Sequence, residues 1–184
     1  DAARSTARNK VKSMGLRWLS MMLIVPLPWA SRPWALPFLT VSAPSPAVDA
    51  AHKRRHKTSV DWLRQMLLQV VRWLPGRRIV LVADGGLASV DVGHCGQTQQ
   101  TPVTYVTRLR LDARLFDPPP PRQPGTRGRK RVVGARQMKA SQRLGDAQTV
   151  WQTVRLTWAD GKLHPVEWAS DTALWYVNCK PVLP

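Results

Sequence analysis

The chain has 184 residues and a formal net charge of +17, from 28 Lys and Arg against 11 Asp and Glu. A hydrophobic share of 43% can support a folded core and excludes a wholly disordered chain. The excess of positive charge favours a polyanionic partner, and above all nucleic acid. The two cysteines lie far apart, which excludes a disulfide framework and a zinc site built from cysteine pairs.

The first predicted elements are two buried strands in the apolar residues 16–41, joined by a proline-containing turn. Prolines inside the second run predict an edge strand or an irregular one. Arg17, Arg32 and four prolines interrupt this stretch, so it is too broken for a membrane span. The chain opens with charged and polar residues, which do not form a signal peptide. We therefore expect a cytoplasmic protein that does not enter the membrane.

Residues 42–57 are predicted to be a linker that ends in a basic run, and a helix follows over residues 58–74. Thr58 and Asp61 have the spacing of a capping box at the start of that helix. Apolar side chains recur every three or four residues and predict one buried face, formed by Val60, Leu63, Leu67, Val70 and Leu74. Pro75 and Gly76 end the helix.

Residues 78–84 form a short apolar run that predicts a strand covered on both faces. Gly85 and Gly86 break it, and a short helix is expected to start between Leu87 and Val92. The order of helix, buried strand and glycine turn indicates an α/β fold. Ligands in open α/β sheets bind beyond the carboxyl ends of the strands. Asp84 stands there as the candidate catalytic and metal-binding residue, with a structural Asx turn as the alternative.

The second half of the chain is predicted to be rich in strands. Residues 103–111 alternate as a strand does, and residues 117–136 form an exposed and mobile loop of prolines, glycines and arginines. Residues 150–158 and 164–168 predict a hairpin around Asp160 and Gly161. Residues 173–177 predict a further strand.

Two basic segments are candidate DNA contacts, because closely spaced cations can bind phosphates. The stronger segment is in the loop at 117–136 and comprises Arg122, Arg127, Arg129, Lys130 and Arg131. The weaker one precedes the helix and comprises Lys53, Arg54 and Arg55. The alternative for both segments is a solvated basic loop that has no partner.

The acidic residues limit the chemistry that can be predicted. Two-metal phosphoryl chemistry needs two or three convergent carboxylates. The single glutamate, Glu167, lies in a predicted strand, and Asp112 and Asp117 lie in predicted loops. No complete set of three carboxylates can be assembled from these residues.

The chain resembles the catalytic region of bacterial insertion-sequence transposases of the DDE superfamily. The order and spacing of short segments along nearly the whole chain carry this resemblance. They are Gly15–Ser20, Pro28–Ala30, Trp34–Thr40, Asp61–Trp62, Arg64–Leu67, Trp73–Gly76, Val80–Asp84, Thr107–Asp112, Pro118–Pro120 with the Gly- and Arg-rich loop, Ala169–Ser170 and Trp175–Tyr176.

The resemblance implies an α/β, ribonuclease-H-like mixed sheet that is incomplete and carries a β-rich insertion. Residues 1–99 would be the partial core, with residues 16–41 as its second and third strands, 59–74 as its first helix and 78–84 as its fourth strand. Residues 100–184 would be the insertion. Asp84 would be the second catalytic aspartate, while the first aspartate would precede residue 1 and the glutamate helix would follow Pro184.

The function implied by the resemblance is DNA cut-and-paste transposition, in which transposon ends are bound and phosphodiesters are cleaved and joined with Mg²⁺ or Mn²⁺. The chain alone is expected to be inactive, because one carboxylate cannot hold a metal pair. A sheet that lacks its first strand would expose an edge and self-associate. The alternatives are a non-enzymatic basic nucleic-acid-binding protein and a decayed transposase remnant. Gly85 and Gly86 depart from the small polar residues usual in the family at this turn.

Overall fold

The computed structural model describes residues 16–125, 127–158, 161–177 and 180–182, which form a mixed α/β structure with small sheets. The chain divides into two compact units, residues 1–69 and 70–184. The elements in chain order are β1 (Trp18–Val25), β2 (Trp34–Ser42), α1 (Pro46–Ala51), α2 (Ser59–Trp73), β3 (Val80–Ala83), a 3₁₀ turn (Gly85–Leu87), α3 (Val90–Gln97), β4 (Thr104–Thr107), β5 (Leu115–Phe116), α4 (Ala140–Arg143), β6 (Gln152–Thr157), β7 (Leu163–Trp168), β8 (Leu174–Val177) and β9 (Lys180–Val182).

The first described elements of the first unit form an antiparallel hairpin of β1 and β2, which confirms the two predicted strands. The register shifts between Met21 and Met22, opposite Leu39 and Pro37, so the strand that contains proline is irregular as predicted. The predicted burial is wrong, because Met21 is the one buried side chain on the two strands. A run of apolar residues predicts a strand, but it does not indicate which other elements cover the two faces of that strand.

A short helix, α1, lies inside residues 42–57, so the prediction that this stretch is only a linker is wrong. Ser45 caps the helix, since its hydroxyl accepts a hydrogen bond of 3.4 Å from the backbone N–H of Val48. Pro46 follows at the first helical position, where a missing N–H costs nothing. Serine before proline was the signal that could have predicted this helix.

The longest helix, α2, confirms the helix predicted over residues 58–74. The Thr58 backbone N–H donates to the Asp61 carboxylate at 2.9 Å, and the Asp61 N–H donates back to the Thr58 hydroxyl at 3.2 Å. These bonds form the predicted capping box. Leu63, Leu67 and Val70 are buried as predicted, together with Met66, which the predicted face had omitted. The other two members of that face differ, because Val60 is half-buried and Leu74 is exposed beyond the end of the helix.

In the second unit, β3 and β4 pair in parallel, with α3 between them in sequence. The expected short helix is confirmed, although it begins at Val90, where Ser89 caps it. Parallel neighbours need such a crossover, so this β–α–β segment confirms the α/β prediction. Val92 and Cys95 on α3 and Val103 before β4 are buried.

The prediction that the strand at 78–84 is covered on both faces is wrong. Val80 and Val82 are 51% and 69% exposed, while Leu81 and Ala83 on the opposite face are half-buried. Alternate residues of a strand point to opposite faces, so one face of β3 is partly covered and the other is open to solvent. A continuous run of apolar residues gave no sign of this asymmetry.

The remaining strands form two further small sheets. β5, β8 and β9 make a three-stranded antiparallel sheet, and β6 pairs with β7 over six residues. The predicted hairpin and the strand near 173–177 are therefore confirmed, although Asp160 lies outside the described residues. Gly161 has a φ of 76°, a left-handed conformation that glycine adopts readily.

The predicted boundary between residues 99 and 100 stays a prediction. β4 lies on the far side of that boundary and pairs with β3 from the near side. The described helices are all too short or too polar to cross a lipid bilayer.

Candidate functional site

Asp84 directly follows β3, at the carboxyl end of a strand in a parallel pair. It is exposed, and its side chain makes no hydrogen bond that caps the following 3₁₀ turn. Its backbone carbonyl instead accepts from the Leu87 N–H at 2.9 Å and from the Thr107 hydroxyl at 3.2 Å. The backbone is therefore fixed to β4 while the carboxylate faces solvent, which is the position predicted from the sequence.

Arg108 lies beside this turn, and sequence reasoning had not singled it out. A Cβ at position 85 would lie 3.1 Å from the Arg108 carbonyl oxygen and 3.2 Å from its Nε atom. Gly85 therefore lets the two backbones approach closely, which gives one physical reason for glycine at this position. The approach also brings a guanidinium group next to the residue that follows Asp84. Only the parallel pairing of β3 with β4, which is a long-range contact, could have revealed it.

The other acidic residues considered from the sequence do not gather around Asp84. Asp112 forms an ion pair with Arg110 at 2.9 Å, and this guanidinium lowers the pKa of the Asp112 carboxyl. Glu167 lies on a strand as predicted, β7, where it is opposite Thr153 of β6. Within the described residues, no group of three His, Cys, Asp or Glu side chains is arranged to hold a metal ion.

The basic loop at 117–136 is closed by a hydrogen-bonded neck. The Asp117 N–H donates to the Ala135 carbonyl at 2.8 Å, and the Gly134 N–H donates to the Asp117 carbonyl at 2.8 Å. The Gln137 side-chain amide donates to the Asp117 carboxylate at 2.8 Å and to the Thr172 carbonyl at 3.1 Å. The loop thus leaves and rejoins the unit at one place, so its two ends are fixed relative to each other.

Gly134 allows the backbone to approach residues 117 and 118 closely at this neck. A Cβ at position 134 would lie 2.5 Å from the Pro118 carbonyl oxygen and 3.0 Å from the Asp117 carbonyl oxygen. Both of these neighbours are backbone atoms, which cannot turn aside as a flexible side chain can. The sequence showed a glycine in this loop but no reason for it, because the close approach joins residues distant in the chain.

The cationic side chains of this loop are exposed, which agrees with the expectation of an exposed segment. The five candidate DNA contacts among them are Arg122, Arg127, Arg129, Lys130 and Arg131. Arg122 donates to the Gly128 carbonyl at 3.3 Å, a bond across the loop that links its two sides. A closed loop with exposed cations is suited to contacts with an extended polyanion.

The second basic segment lies in the first unit, in the connection between α1 and α2. Lys53, Arg54 and Arg55 are all exposed there. Lys57, two residues further on, is placed differently: its Nζ atom lies 4.6 Å from the centre of the Trp62 ring and donates to Gln65 at 3.3 Å. Three cations of this segment are therefore exposed to solvent, whereas the fourth, Lys57, is held against α2.

A family model described as DDE superfamily endonuclease matches residues 2–174, which is well over half of the chain. Searches of characterised proteins and of solved structures found no match. The match includes Asp84, the basic loop and nearly all the described strands and helices. The chain therefore belongs to the DDE superfamily of endonucleases and is a transposase-like protein.

Proposed function

We propose that this chain binds DNA through its two basic segments as part of the transposition chemistry of a DDE transposase. Family membership implies a DNA substrate, and nucleases of this superfamily generally use divalent metal ions. The exposed cations of the closed loop at 117–136 are the observation that carries the proposal. Transposon ends are the proposed form of the DNA, and a bacterial cytoplasmic setting is proposed with it.

The electrostatic balance of the chain supports binding to the DNA backbone. A net charge of +17 attracts DNA, and clustered arginines neutralise several neighbouring phosphates at once. Such contacts carry no base sequence information, so we expect the isolated chain to bind different sequences with similar affinity. Recognition of particular transposon ends would need further contacts with base edges.

For the fold, we propose a ribonuclease-H-like core with an inserted β-rich region. The parallel pairing of β3 with β4, the helix between them and the place of Asp84 at the end of β3 support this proposal. In such a core Asp84 would be the second catalytic aspartate. Open strand edges in the two-stranded sheets support the accompanying proposal of self-association.

The metal chemistry of the family fits the described residues only in part. Asp84 offers one exposed carboxylate, which suits the preference of Mg²⁺ or Mn²⁺ for oxygen ligands. A metal pair needs two or three convergent carboxylates, and the described residues contain no group of three side chains that could hold a metal ion. We therefore propose that Asp84 is a single ligand of a divalent metal ion.

DNA binding is tested by fluorescence anisotropy with a labelled duplex over a series of salt concentrations. We expect the logarithm of the affinity to fall linearly with the logarithm of the salt concentration. The slope should become shallower by about 0.9 for each phosphate contact removed. The triple variant Arg129→Ala, Lys130→Ala, Arg131→Ala removes cations from the loop. Arg114→Ala, which removes an exposed cation outside it, is the control.

Metal binding is tested separately by titrating Mn²⁺ and following its electron paramagnetic resonance signal. We expect Asp84→Asn to remove binding, whereas Asp112→Asn, which removes an exposed carboxylate already paired with Arg110, leaves it unchanged. Equal Mn²⁺ binding by the wild type and Asp84→Asn contradicts the metal role of Asp84. If the triple variant has a lower DNA affinity while Mn²⁺ binding does not depend on Asp84, the alternative of a non-enzymatic DNA-binding protein replaces the metal proposal.

If the triple variant binds DNA as Arg114→Ala does, the proposed DNA contact at the loop 117–136 is wrong.

A further inference from the structure

The connection between α1 and α2 contains a carboxylate that is buried beside exposed cations. Asp49 on α1 is 7% exposed, and its Oδ2 atom lies 2.7 Å from Nδ1 of His56. Burying a carboxylate is unfavourable unless a partner satisfies it, and here the partner comes from the far end of the connection. The bond therefore draws the two ends of the segment 49–56 together.

The backbone of the same connection forms a tight turn at the end of α1. The Lys53 N–H donates to the Ala50 carbonyl at 3.0 Å, and the Arg54 N–H donates to the Asp49 carbonyl at 2.8 Å. These two bonds form a Schellman motif, with Lys53 at its left-handed position and a φ of 52°. Glycine is the residue that usually occupies this position, because a side chain there is strained.

The connection is also held at the start of α2. Thr58 donates from its backbone and its hydroxyl to the Asp61 carboxylate, at 2.9 and 2.7 Å. Lys57 is turned against the Trp62 ring. Anchors therefore precede and follow Lys53, Arg54 and Arg55, and these three cations remain exposed between them.

We propose that Asp49 and His56 are positioning residues that hold Lys53, Arg54 and Arg55 as a preformed loop for binding the DNA phosphate backbone. This inference rests on the proposed function, since it assumes that the loop contacts DNA. A preformed loop loses less conformational entropy on binding, so each phosphate contact contributes more to affinity. The strained lysine fits the same role, because glycine would relieve the strain but would remove a cation from the binding surface.

Two measurements test the arrangement, and one of them does not involve DNA. Trypsin cleaves after Lys53, Arg54 and Arg55, so the cleavage rate at these bonds reports how well the loop is held. Cleavage after Arg64 and Arg72 within α2 is the internal reference for unfolding of the whole region. DNA affinity is measured in parallel by anisotropy with a labelled duplex.

His56→Leu removes the bond to Asp49, whereas His56→Asn keeps a hydrogen-bond donor near the place of Nδ1. We expect His56→Leu to raise cleavage at the loop at least about fivefold and to weaken DNA binding about threefold. Cleavage within α2 should not change, and His56→Asn should restore both values towards the wild type. Equal increases in cleavage at the loop and within α2 would overturn the proposal, because the bond would then stabilise the region as a whole.

Lys53→Gly supplies a test that does not depend on the stability of the His56 variants. We expect its melting temperature to rise by about 2–4 °C as the strain is relieved. Its DNA affinity should fall by more than that of Arg32→Ala, which removes an exposed cation from the connection between β1 and β2. An unchanged affinity in Lys53→Gly would overturn the role of the lysine.

A further variant distinguishes failure of the positioning role from failure of the DNA contact itself. Combined Lys53→Ala, Arg54→Ala and Arg55→Ala changes remove the cations and leave Asp49 and His56 in place. If this variant binds DNA as the wild type does, the proposed DNA contact at this loop is wrong, even where the proteolysis shows the loop to be held. If it binds weakly but His56→Leu binds normally, the contact stands and the positioning role is overturned.

Discussion

Replacing Gly134 by alanine adds one methyl group at the neck of the loop at 117–136. That methyl carbon would lie 2.5 Å from the Pro118 carbonyl oxygen, whereas carbon and oxygen in contact normally stand well over 3 Å apart. The neck must therefore open by roughly 0.5–1 Å, and the bonds between Asp117 and residues 134 and 135 must lengthen. Forced overpacking of this kind costs about 1–3 kcal/mol.

The assays are urea unfolding, trypsin cleavage at residues 127–131 and DNA anisotropy. We expect Gly134→Ala to lower the free energy of unfolding by about 1–3 kcal/mol, because the displaced atoms are backbone. Cleavage within the loop should become faster and DNA affinity should fall, since the loop ends are no longer fixed. Gly145→Ala is the matched control, because its added methyl would meet nothing closer than 3.9 Å. Equal stability and equal DNA affinity in the two variants would refute the close approach at the neck.

Three further predictions concern α2. Leu67→Ala should lower the free energy of unfolding by about 2–5 kcal/mol in urea unfolding, because Leu67 is 1% exposed and its removal leaves a cavity. Leu74→Ala changes an exposed position and should lower the free energy of unfolding much less. Equal losses in the two variants would contradict the burial of Leu67. Thr58→Ala should cost about 1 kcal/mol in the same measurement through loss of the helix cap, and no loss would contradict the capping box. Hydrogen bonds from Thr58 hold the pKa of the Asp61 carboxyl below its ordinary value of 3.8. The ionised carboxylate therefore stabilises the folded protein above pH 3.8, and this stabilisation is lost as the pH falls through the lower pKa of the folded state. The stability difference between wild type and Asp61→Asn should therefore shrink in acid unfolding below pH 3.8, and a constant difference would contradict this cause.

Much of the local structure could be predicted from the sequence because its causes are local. The capping box of α2 needs only Thr58 and Asp61, three residues apart, and the apolar face repeats within one helix. The hairpin of β6 and β7 likewise depends on neighbouring residues. Asp84 could be placed at the end of β3 for the same reason, since the apolar run and the glycines that end it are adjacent.

The features that were missed depend on contacts between residues far apart in the chain. Burial of β1, β2 and β3 depends on which other elements cover their faces, and composition does not specify this. Arg108 reaches the turn after Asp84 only because β4 lies parallel to β3. The bond between Asp49 and His56 is of the same kind, because the sequence predicts a linker at residues 42–57 and gives no sign of a buried aspartate there.

The pairing of β5 with β8 has a consequence for the order in which the second unit folds. β5 pairs through only two residues, Leu115 and Phe116, with partners that the chain reaches much later, Trp175 and Leu174. Closing so long a segment for so few bonds is slow, whereas the hairpin of β6 and β7 closes locally and fast. The neck bond from Gln137 to the Thr172 carbonyl depends on the same late closure. We therefore expect the link between Gln137 at the neck and Thr172 to form in one of the last steps of folding and to break in one of the first steps of unfolding.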